Sequence, residues 1–302
     1  MNEGLQPFEL QREALAERLK LRDQWEAQVK ALNETGVLEI LPEAQDIGVI
    51  GIDGKEYPIP KYNEILSQIT PEKMEILEKK LEQGFSKLLM VPMAMPLDVL
   101  IDRYKRELLK HASEGKLLSA DNTPLDLNPE DPLYVWDQYK KADIEGRLVY
   151  YPKQFDKQNH QGQTKQELID QGDGWEVRLI EDIDIPAQGQ GQTIGERKQL
   201  EANHTSIEYL KATQEDIQYQ EEQGLTPEGW LTKAISRLHE TNQQIDDYQG
   251  KGKLCYMFGS YFPAVSRVPR GYFNRHGRQA GLDRDDPDNR GSNCGACSSV
   301  KI

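Results

Sequence analysis

The chain has 302 residues, of which 29 % are charged and 37 % are hydrophobic, and its formal net charge is −14. This length suits roughly two domains of ~150 residues each and is sufficient to bury a sizeable core. The acidic balance argues against general nucleic-acid binding, because phosphates attract basic faces, and against docking on anionic lipid.

The first 125 residues are predicted to be mainly helical, with one β-hairpin. The dipeptide Asp53-Gly54 follows an apolar run and supplies the positive φ angles that a tight turn needs. Thr70 is placed to cap a helix that has Pro71 at its first position. The predicted elements are a helix over 8–32, a hairpin over 49–59, and helices over 71–90 and 97–114.

Residues 119–132 are rich in Pro, Asp and Asn and favour a domain boundary. We therefore expect an N-terminal region, 1–125, and a second domain, 126–302. β-branched and aromatic residues predict strands after the boundary. Because strands and helices do not alternate regularly, the sequence favours an α+β fold over a parallel βαβ architecture. The predicted elements are strands over 133–136, 147–151 and 175–185, a loop over 187–195, helices over 203–222 and 227–243, and short strands from Lys253 onward.

The sequence also bears on the compartment. No apolar run approaches the ~20 residues of a transmembrane helix. The N-terminus lacks the basic and then apolar pattern of a secretion signal. We expect a chain that is cytoplasmic as written, or one that is exported or attached to a particle without a cleaved signal, and that does not insert into a membrane.

The closing segment differs in composition from the rest of the chain. Between Lys253 and Lys301 there is no Lys and no Glu, and Gln279 is the only Gln. Arg, Asp, Asn, Gly, Ser, Tyr, Phe, His and Cys replace them. Residues 267–302 carry a net charge of +3, which leaves −17 for the remainder. This mixture is typical of antibody-like binding surfaces, in which Tyr gives rigid contact area and Ser, Asn and Gly give adaptable hydrogen bonds; an ordinary polar C-terminal loop is the alternative.

Motifs for catalysis or metal binding are weak. Cys294-Gly-Ala-Cys297 provides two thiols and Cys255 a third, whereas a closed zinc site needs four ligands. Surface cysteines without a special role are the simpler interpretation, and a metal or redox site is the alternative. The aspartates from Asp283 to Asp288 do not have EF-hand spacing, so a solvated acidic loop is favoured over calcium. We expect no enzyme activity, no metal and no cofactor.

The end of the chain resembles a known family signature. Arg278-Gln-Ala280, Arg284, Pro287-Asp-Asn-Arg290 and Gly295 are similar to the C-terminal motif of the formylglycine-generating-enzyme branch of C-type lectin folds. Ala296 and Cys297 stand where that motif ends in Phe and Arg. Within the branch, the closer resemblance is to variable proteins of diversity-generating retroelements of the archaeal and candidate-phyla type. Residues 71–180 also resemble the upstream part of such proteins.

The resemblance implies a receptor-like protein with a C-type lectin-like domain and a variable region at about 266–297. In such systems, reverse transcription randomises template adenines. An AAC codon changed at its first two bases yields Phe, Tyr, Cys, His, Arg, Asp, Gly and Ser, but never Lys, Glu, Gln, Met or Trp. This matches the composition of the closing segment. The implied partner is a protein or surface ligand that differs between variants.

The resemblance also divides the closing segment into two sets of residues. The framework set is expected to hold the loops, its arginines binding loop carbonyls, and comprises Arg275, Arg278, Ala280, Arg284, Arg290 and Gly295. The variable set is expected to share one ligand-binding face, with Tyr272 and Phe273 as anchors. Its members are Arg270, Tyr272, Phe273, Asn274, His276, Gly277, Gly281, Asp283, Asp285, Asp286, Asp288, Asn289, Ser292 and Asn293.

Three alternatives remain open at this stage. A copper oxidase of the formylglycine-generating type would use Cys294 and Cys297. A calcium-dependent carbohydrate-binding lectin would use Asp286-Pro287-Asp288, a triplet similar to the acidic-Pro-Asp motif of those lectins. A structural virion or surface component would leave the C-terminus inert.

Overall fold

The computed structural model describes residues 5–302, with side chains from residue 8 onward. Helices and strands are mixed along the chain, so the predicted α+β class is confirmed. The eight α-helices within the described residues are α1 (Leu5–Arg18), α2 (Leu21–Glu34), α3 (Tyr62–Gln68), α4 (Pro71–Glu82), α5 (Leu97–Ser113), α6 (Lys165–Asp170), α7 (Ser206–Glu215) and α8 (Pro227–Thr241).

The strands are short, and each has two to seven residues. In chain order they are β1 (Glu39–Leu41), β2 (Asp46–Ile50), β3 (Glu56–Pro58), β4 (Phe85–Val91), β5 (Leu133–Val135), β6 (Val149–Tyr150), β7 (Glu176–Glu181), β8 (Thr193–Ile194), β9 (Arg197–Lys198), β10 (Glu222–Gly224), β11 (Leu254–Tyr256), β12 (Ser260–Tyr261), β13 (Val268–Asn274), β14 (Gln279–Asp285), β15 (Cys294–Ala296) and β16 (Ser298–Lys301).

Two sheets organise the molecule. A four-stranded antiparallel sheet has the order β10-β16-β7-β4. A five-stranded mixed sheet has the order β15-β11-β13-β14-β5; its central pairs are antiparallel, and β15 and β5 each run parallel to their neighbour. A three-stranded sheet has the order β1-β2-β3, and two small sheets pair β6 with β12 and β8 with β9. The long hairpin β13–β14 therefore lies inside the larger sheet and not at its edge.

Helix α8 lies at the centre of the fold. Eleven of its 15 residues are buried, and it packs against α2, α5, β4 and β13. The side chain of Thr226 accepts a hydrogen bond from the Gly229 amide at 3.1 Å, which satisfies one of the free amides of the first turn. Trp230 is fully buried and packs edge-on against Tyr104 of α5 at 5.6 Å between ring centroids. The helix thus holds the five-stranded sheet against the N-terminal helices.

One main hydrophobic cluster extends from Leu15 to Ile302 and draws on both sides of the predicted 125/126 boundary. A second cluster, which includes Tyr209, Tyr256 and Tyr261, lies on the other side of the five-stranded sheet. The division into 1–125 and 126–302 stays a prediction about folding units. Within residues 5–302, no helix combines the length and the apolar character needed to cross a bilayer.

Several predicted elements are confirmed. The hairpin around Asp53-Gly54 is formed by β2 and β3. The predicted helices over 97–114 and 227–243 are α5 and α8.

Other predicted elements are wrong or shorter than expected. The helix predicted over 8–32 is two helices, broken at Lys20, whose φ is 49°. The helix predicted over 71–90 ends at Glu82; Gly84 takes a φ of 96°, and the apolar run that follows pairs with β7 as β4. Within the predicted helix 203–222, α7 forms and a short 3-10 helix (Ile217–Tyr219) follows it; the predicted loop 187–195 contains β8.

Candidate ligand-binding face

The hairpin β13–β14 separates its residues by strand periodicity. Its antiparallel register places Arg270 opposite Asp283 and Tyr272 opposite Gly281. Alternate side chains of a strand point to opposite faces of its sheet. Arg270, Tyr272 and Asn274 are half-buried, whereas the residues between them are buried. We call the side that carries these three residues the outer face and the opposite side the inner face.

The inner face packs against α8. Phe273 has no exposed surface and belongs to the main hydrophobic cluster, as do Ala280 and Leu282. A Cβ atom built on Gly271 would lie 2.4 Å from Cε2 of Trp230, which is closer than any real contact. The indole therefore occupies the space above this glycine. Trp230 also donates a hydrogen bond from Nε1 to Asp246 at 2.7 Å, so the ring is fixed from two directions.

The outer face carries an aromatic group on a small platform. Tyr272 lies across Gly281, where a Cβ would be 2.5 Å from its Cζ atom. Tyr248 packs edge-on against Tyr272 at 5.6 Å, and the Arg270 guanidinium lies 5.7 Å from the Tyr272 ring centre. The parallel pairing of β14 with β5 puts Tyr134, which is 37 % exposed, next to Gly281 on the same face. Tyrosines in this arrangement give rigid, amphipathic contact area.

A charge network lies beside these aromatic rings. Arg270 donates to Asp283 at 2.9 Å and to Asp285 at 2.7 Å. Arg284 donates to the other carboxylate oxygen of Asp283 at 2.7 Å. Burial alone would raise the pKa of Asp283, but the hydrogen bonds from Arg270 and Arg284 outweigh it and hold that pKa below its ordinary value. Asp283 is therefore ionised, and both aspartates are paired with protein cations.

One end of the outer face is closed by the second hydrophobic cluster. Val268 and Tyr256 lie in that cluster with Tyr209 of α7. The Tyr256 hydroxyl donates to Asp285 at 3.3 Å and to the carbonyl of Asn289 at 3.2 Å. The second cluster thus packs against the Val268 end of the outer face and leaves the area around Tyr272 open.

Most of the variable set lies on the outer face or on the loops at either end of the hairpin. His276 and Gly277 form the exposed tip of the hairpin. The loop of exposed residues after β14 lies at the opposite end, roughly 20 Å away for a seven-residue strand. The strand members of the set on the outer face are Arg270, Tyr272, Asn274, Gly281, Asp283 and Asp285, and the exposed members of the second loop are Asp286, Asp288, Asn289, Ser292 and Asn293.

Phe273 is a wrong assignment within the variable set. It lies on the inner face because it follows Tyr272 directly, and consecutive strand residues point to opposite sides. Two other members are on the outer face but offer little surface. Asp283 is only 6 % exposed beneath the two arginines, and Gly281 is covered by Tyr272.

The arginines of the framework set were expected to bind loop carbonyls, but most of their partners are carboxylates. Arg278 donates to Asp126 at 2.9 Å. The Nε of Arg275 lies 2.8 Å from both oxygens of Asp247, whose side chain is 2 % exposed. Bidentate pairing of this kind fixes orientation as well as position.

Arg290 and Arg284 complete the set of anchors. Arg290 pairs with Glu208 of α7 and donates to the carbonyl of Asn203 at 3.2 Å, the one carbonyl bond that the expectation described. Arg284 lies over the Trp136 ring at 5.1 Å while it binds Asp283. The hairpin and its loops are therefore tied to distant parts of the chain at several points. The other two members, Ala280 and Gly295, are buried.

The cysteines were expected at the surface, and this expectation is wrong for two of the three. Cys255 and Cys294 are buried, and only Cys297 is partly exposed. Cys294 belongs to the second hydrophobic cluster, whereas Cys297 packs against the main one, so the CxxC thiols have different neighbours. Within residues 5–302 no group of three or more His, Cys, Asp or Glu side chains is arranged to hold a metal ion.

Tyr134 and Tyr248 were missed as neighbours of the face, whereas Gln279 was expected only as a fixed framework residue. Gln279 pairs with Asn274 across the hairpin and donates to the Asp131 carboxylate at 2.9 Å. Tyr134 reaches the face through a parallel pairing between distant segments, which no local pattern signals. The contact between Tyr248 and Tyr272 likewise forms only in the folded protein.

Comparison with protein-family models, with curated proteins and with solved structures found no match for this chain.

Proposed function

We propose that this chain is a ligand-binding variable protein that displays exchangeable side chains on the outer face of β13–β14, within a C-type lectin-like domain. The observation that carries the proposal is the alternation along the hairpin: half-buried Arg270, Tyr272 and Asn274 alternate with buried Gly271 and Phe273. Side chains on the first set change without repacking the core, because the core contacts belong to the second set.

The anchoring of the hairpin supports the same proposal. Binding residues work best on rigid elements, since order in the free protein lowers the entropic cost of binding. Here the hairpin lies inside a five-stranded sheet and is tied by arginine–carboxylate pairs to Asp126 and Asp247. A framework held in this way tolerates changes between its anchors.

The chemistry of the face favours a protein or surface ligand over a small molecule. Tyr272, Tyr248 and Tyr134 give a continuous aromatic area, with Arg270 beside them as a donor. Interface anchors are enriched in Tyr and Arg. The exposed loop after β14 extends the area with Asn and Ser groups that adapt their hydrogen bonds.

A display library tests the proposal. The codons for Arg270, Tyr272, Asn274, Asp285 and Ser292 are randomised in the full chain and selected against a panel of purified proteins. A matched control library randomises five exposed positions away from the hairpin, including Ile40 and Ile217. We expect folded binders from the first library and few from the second. Equal yields from both libraries, or loss of folding in most members of the first, would contradict the proposal.

A further inference from the structure

A buried ammonium group contacts a thiol beneath the four-stranded sheet. Lys233 of α8 is 9 % exposed, and its Nζ lies 3.6 Å from Sγ of Cys297. A buried ammonium group is unfavourable unless a negative group compensates it. The other buried lysines of the chain meet this need with carboxylates: Lys165 lies 2.8 Å from both Asp143 and Glu228. Among the described residues, Lys233 has no carboxylate within ion-pair distance; the sulfur of Cys297 is its direct contact, and the charge of Asp246 acts on it from farther away.

A second thiol adjoins the first. Cys255 of β11 pairs with Gly295 of β15 in parallel register, two residues before Cys297. The Cys255 thiol, which lies 3.8 Å from the Tyr256 carbonyl oxygen, is also close enough to Cys297 for the two thiols to interact. The hydrogen bond from Cys255 and the charge of Lys233 together outweigh burial and hold the pKa of Cys297 below its ordinary value. The pKa of Cys255 is raised by that same hydrogen bond and by burial. One thiol is thus favoured as the thiolate and the other as the protonated partner.

The charged and titratable groups around Cys297 come from several elements. Lys233 faces it from α8, Cys255 from β11, Asp246 from the segment before β11, and Glu181 from β7. The two carboxyl groups oppose the thiolate. Burial raises the pKa of Asp246 to about 6, so this carboxyl is partly protonated in mildly acidic solution. Lys233 is the only cation among these neighbours and is therefore the group that favours the thiolate by charge.

The site is open to small molecules. Cys297 is partly exposed and lines a crevice with Ile183 and Ile185. Lys233 and Asp246 also line an adjacent cavity of about 270 Å³. In this cavity the buried side-chain atoms Nε2 of Gln28 and Oγ of Ser236 have no hydrogen-bond partner. The cavity on the Lys233 side has space and polar groups for a reactant the size of a peroxide, whereas the crevice that Cys297 lines is much smaller.

We propose that Cys297 is a modification site for peroxides, and that Cys255 converts its oxidation product to an intramolecular disulfide. Reactive cysteines occupy partly exposed, electropositive surroundings, which Lys233 supplies here. A neighbouring resolving cysteine is typical of reversible thiol oxidation. Neither step depends on the outer face of the hairpin.

The peroxide is the oxidant in this reaction. The Cys297 thiolate attacks one peroxide oxygen, the O–O bond breaks, and the sulfur loses two electrons to form a sulfenic acid. The departing oxygen leaves as hydroxide or alkoxide and takes a proton from solvent. The Cys255 thiol then attacks the sulfenic sulfur; the S–O bond breaks, and the hydroxyl group leaves with the thiol proton as water. The product is a Cys255–Cys297 disulfide.

Peroxide treatment of the full chain, followed by peptide mapping, tests the product. Hydrogen peroxide should give a Cys255–Cys297 disulfide in the wild type and in Cys294→Ser, the matched control. Cys255→Ser should instead accumulate a sulfenic acid at Cys297 that dimedone traps. A failure to form the disulfide in the folded wild type, or a sulfenic acid at Cys294 in its place, would overturn the proposal.

Alkylation kinetics test the role of Lys233. We measure the rate of iodoacetamide reaction at Cys297 against pH, with circular dichroism to verify folding. Lys233→Gln should slow the reaction near neutral pH, because loss of the ammonium charge raises the pKa of Cys297 and lowers its thiolate fraction. Lys233→Arg should retain most of the wild-type rate because it keeps the charge. Equal rates for the wild type and Lys233→Gln would refute the role of the ammonium group, and Cys297 reacting no faster than Cys294 would refute the site.

Discussion

The two glycines at the centre of the hairpin are predicted to differ in how much a substitution to alanine destabilises the protein. Gly271→Ala on the inner face directs a methyl group at Trp230, with Cβ 2.4 Å from Cε2. Trp230 cannot move aside, because Tyr104 packs against it and Asp246 holds its Nε1. Overpacking a rigid core costs roughly 1–3 kcal/mol. We expect about 3 kcal/mol here, since both the strand and the indole are fixed.

Gly281→Ala on the outer face directs its methyl group at the Tyr272 ring, at 2.5 Å from Cζ. Tyr272 is half-buried and can rotate towards solvent, so we expect a cost below about 1 kcal/mol. In a Tyr272→Ser background this cost should vanish, because the obstructing ring is gone. The Gly271→Ala cost should be unchanged in that background, since its obstacle is Trp230.

Urea denaturation of the full chain measures these free energies of unfolding, and a constant m value shows that the comparison between variants is valid. Equal costs for the two alanine substitutions would refute the assignment of the faces. A Gly281→Ala cost that persists in the Tyr272→Ser background would also refute that assignment.

Three further predictions concern the same elements. Phe273→Ala should lower the free energy of unfolding by about 3–5 kcal/mol, as other buried Phe truncations do, while Asn274→Ala should lower it by less than about 1 kcal/mol in the same urea assay. Arg275→Ala should cost about 3 kcal/mol because it leaves the buried Asp247 carboxylate unpaired; adding Asp247→Asn should recover part of this loss, and no recovery would count against the pairing. Burial raises the pKa of Asp246 to about 6. The folded state therefore keeps a proton that the unfolded state loses near pH 4, and stability falls as pH rises through this window. Relative to Asp246→Asn, the wild type should lose about 3 kcal/mol between about pH 4 and pH 7; parallel pH profiles for the two proteins would exclude this cause.

Local patterns in the sequence predict the elements whose stabilising contacts are local. Helix α8 forms from Thr226 onward because its cap, its proline and its apolar stripe all lie within one segment. The hairpin at Asp53-Gly54 forms for the same reason. The segment from Phe85 to Val91 was predicted as helix because its apolar spacing continues that of α4. It forms a strand because β7, far along the chain, offers a complete antiparallel ladder.

Composition predicts which segment forms the candidate face, but not which of its side chains point outward. Composition selected Tyr272 and Phe273 together, and strand periodicity then separated them, a distinction available once the segment is known to be a strand. The partners of the framework arginines were not predictable, because Asp126, Asp247 and Glu208 approach the hairpin only through the tertiary fold. The contact between Lys233 and Cys297 has the same origin.

The central claim is that the outer face varies while the scaffold under it does not. Sequencing the 3′ end of this gene across a population of cells, with the neighbouring DNA, tests it most directly. We predict substitutions concentrated at the codons of Arg270, Tyr272, Asn274 and Ser292, and a nearby near-copy that differs at adenines beside a reverse transcriptase gene. An invariant 3′ end, or substitutions spread equally over these codons and that of Phe273, would contradict the account.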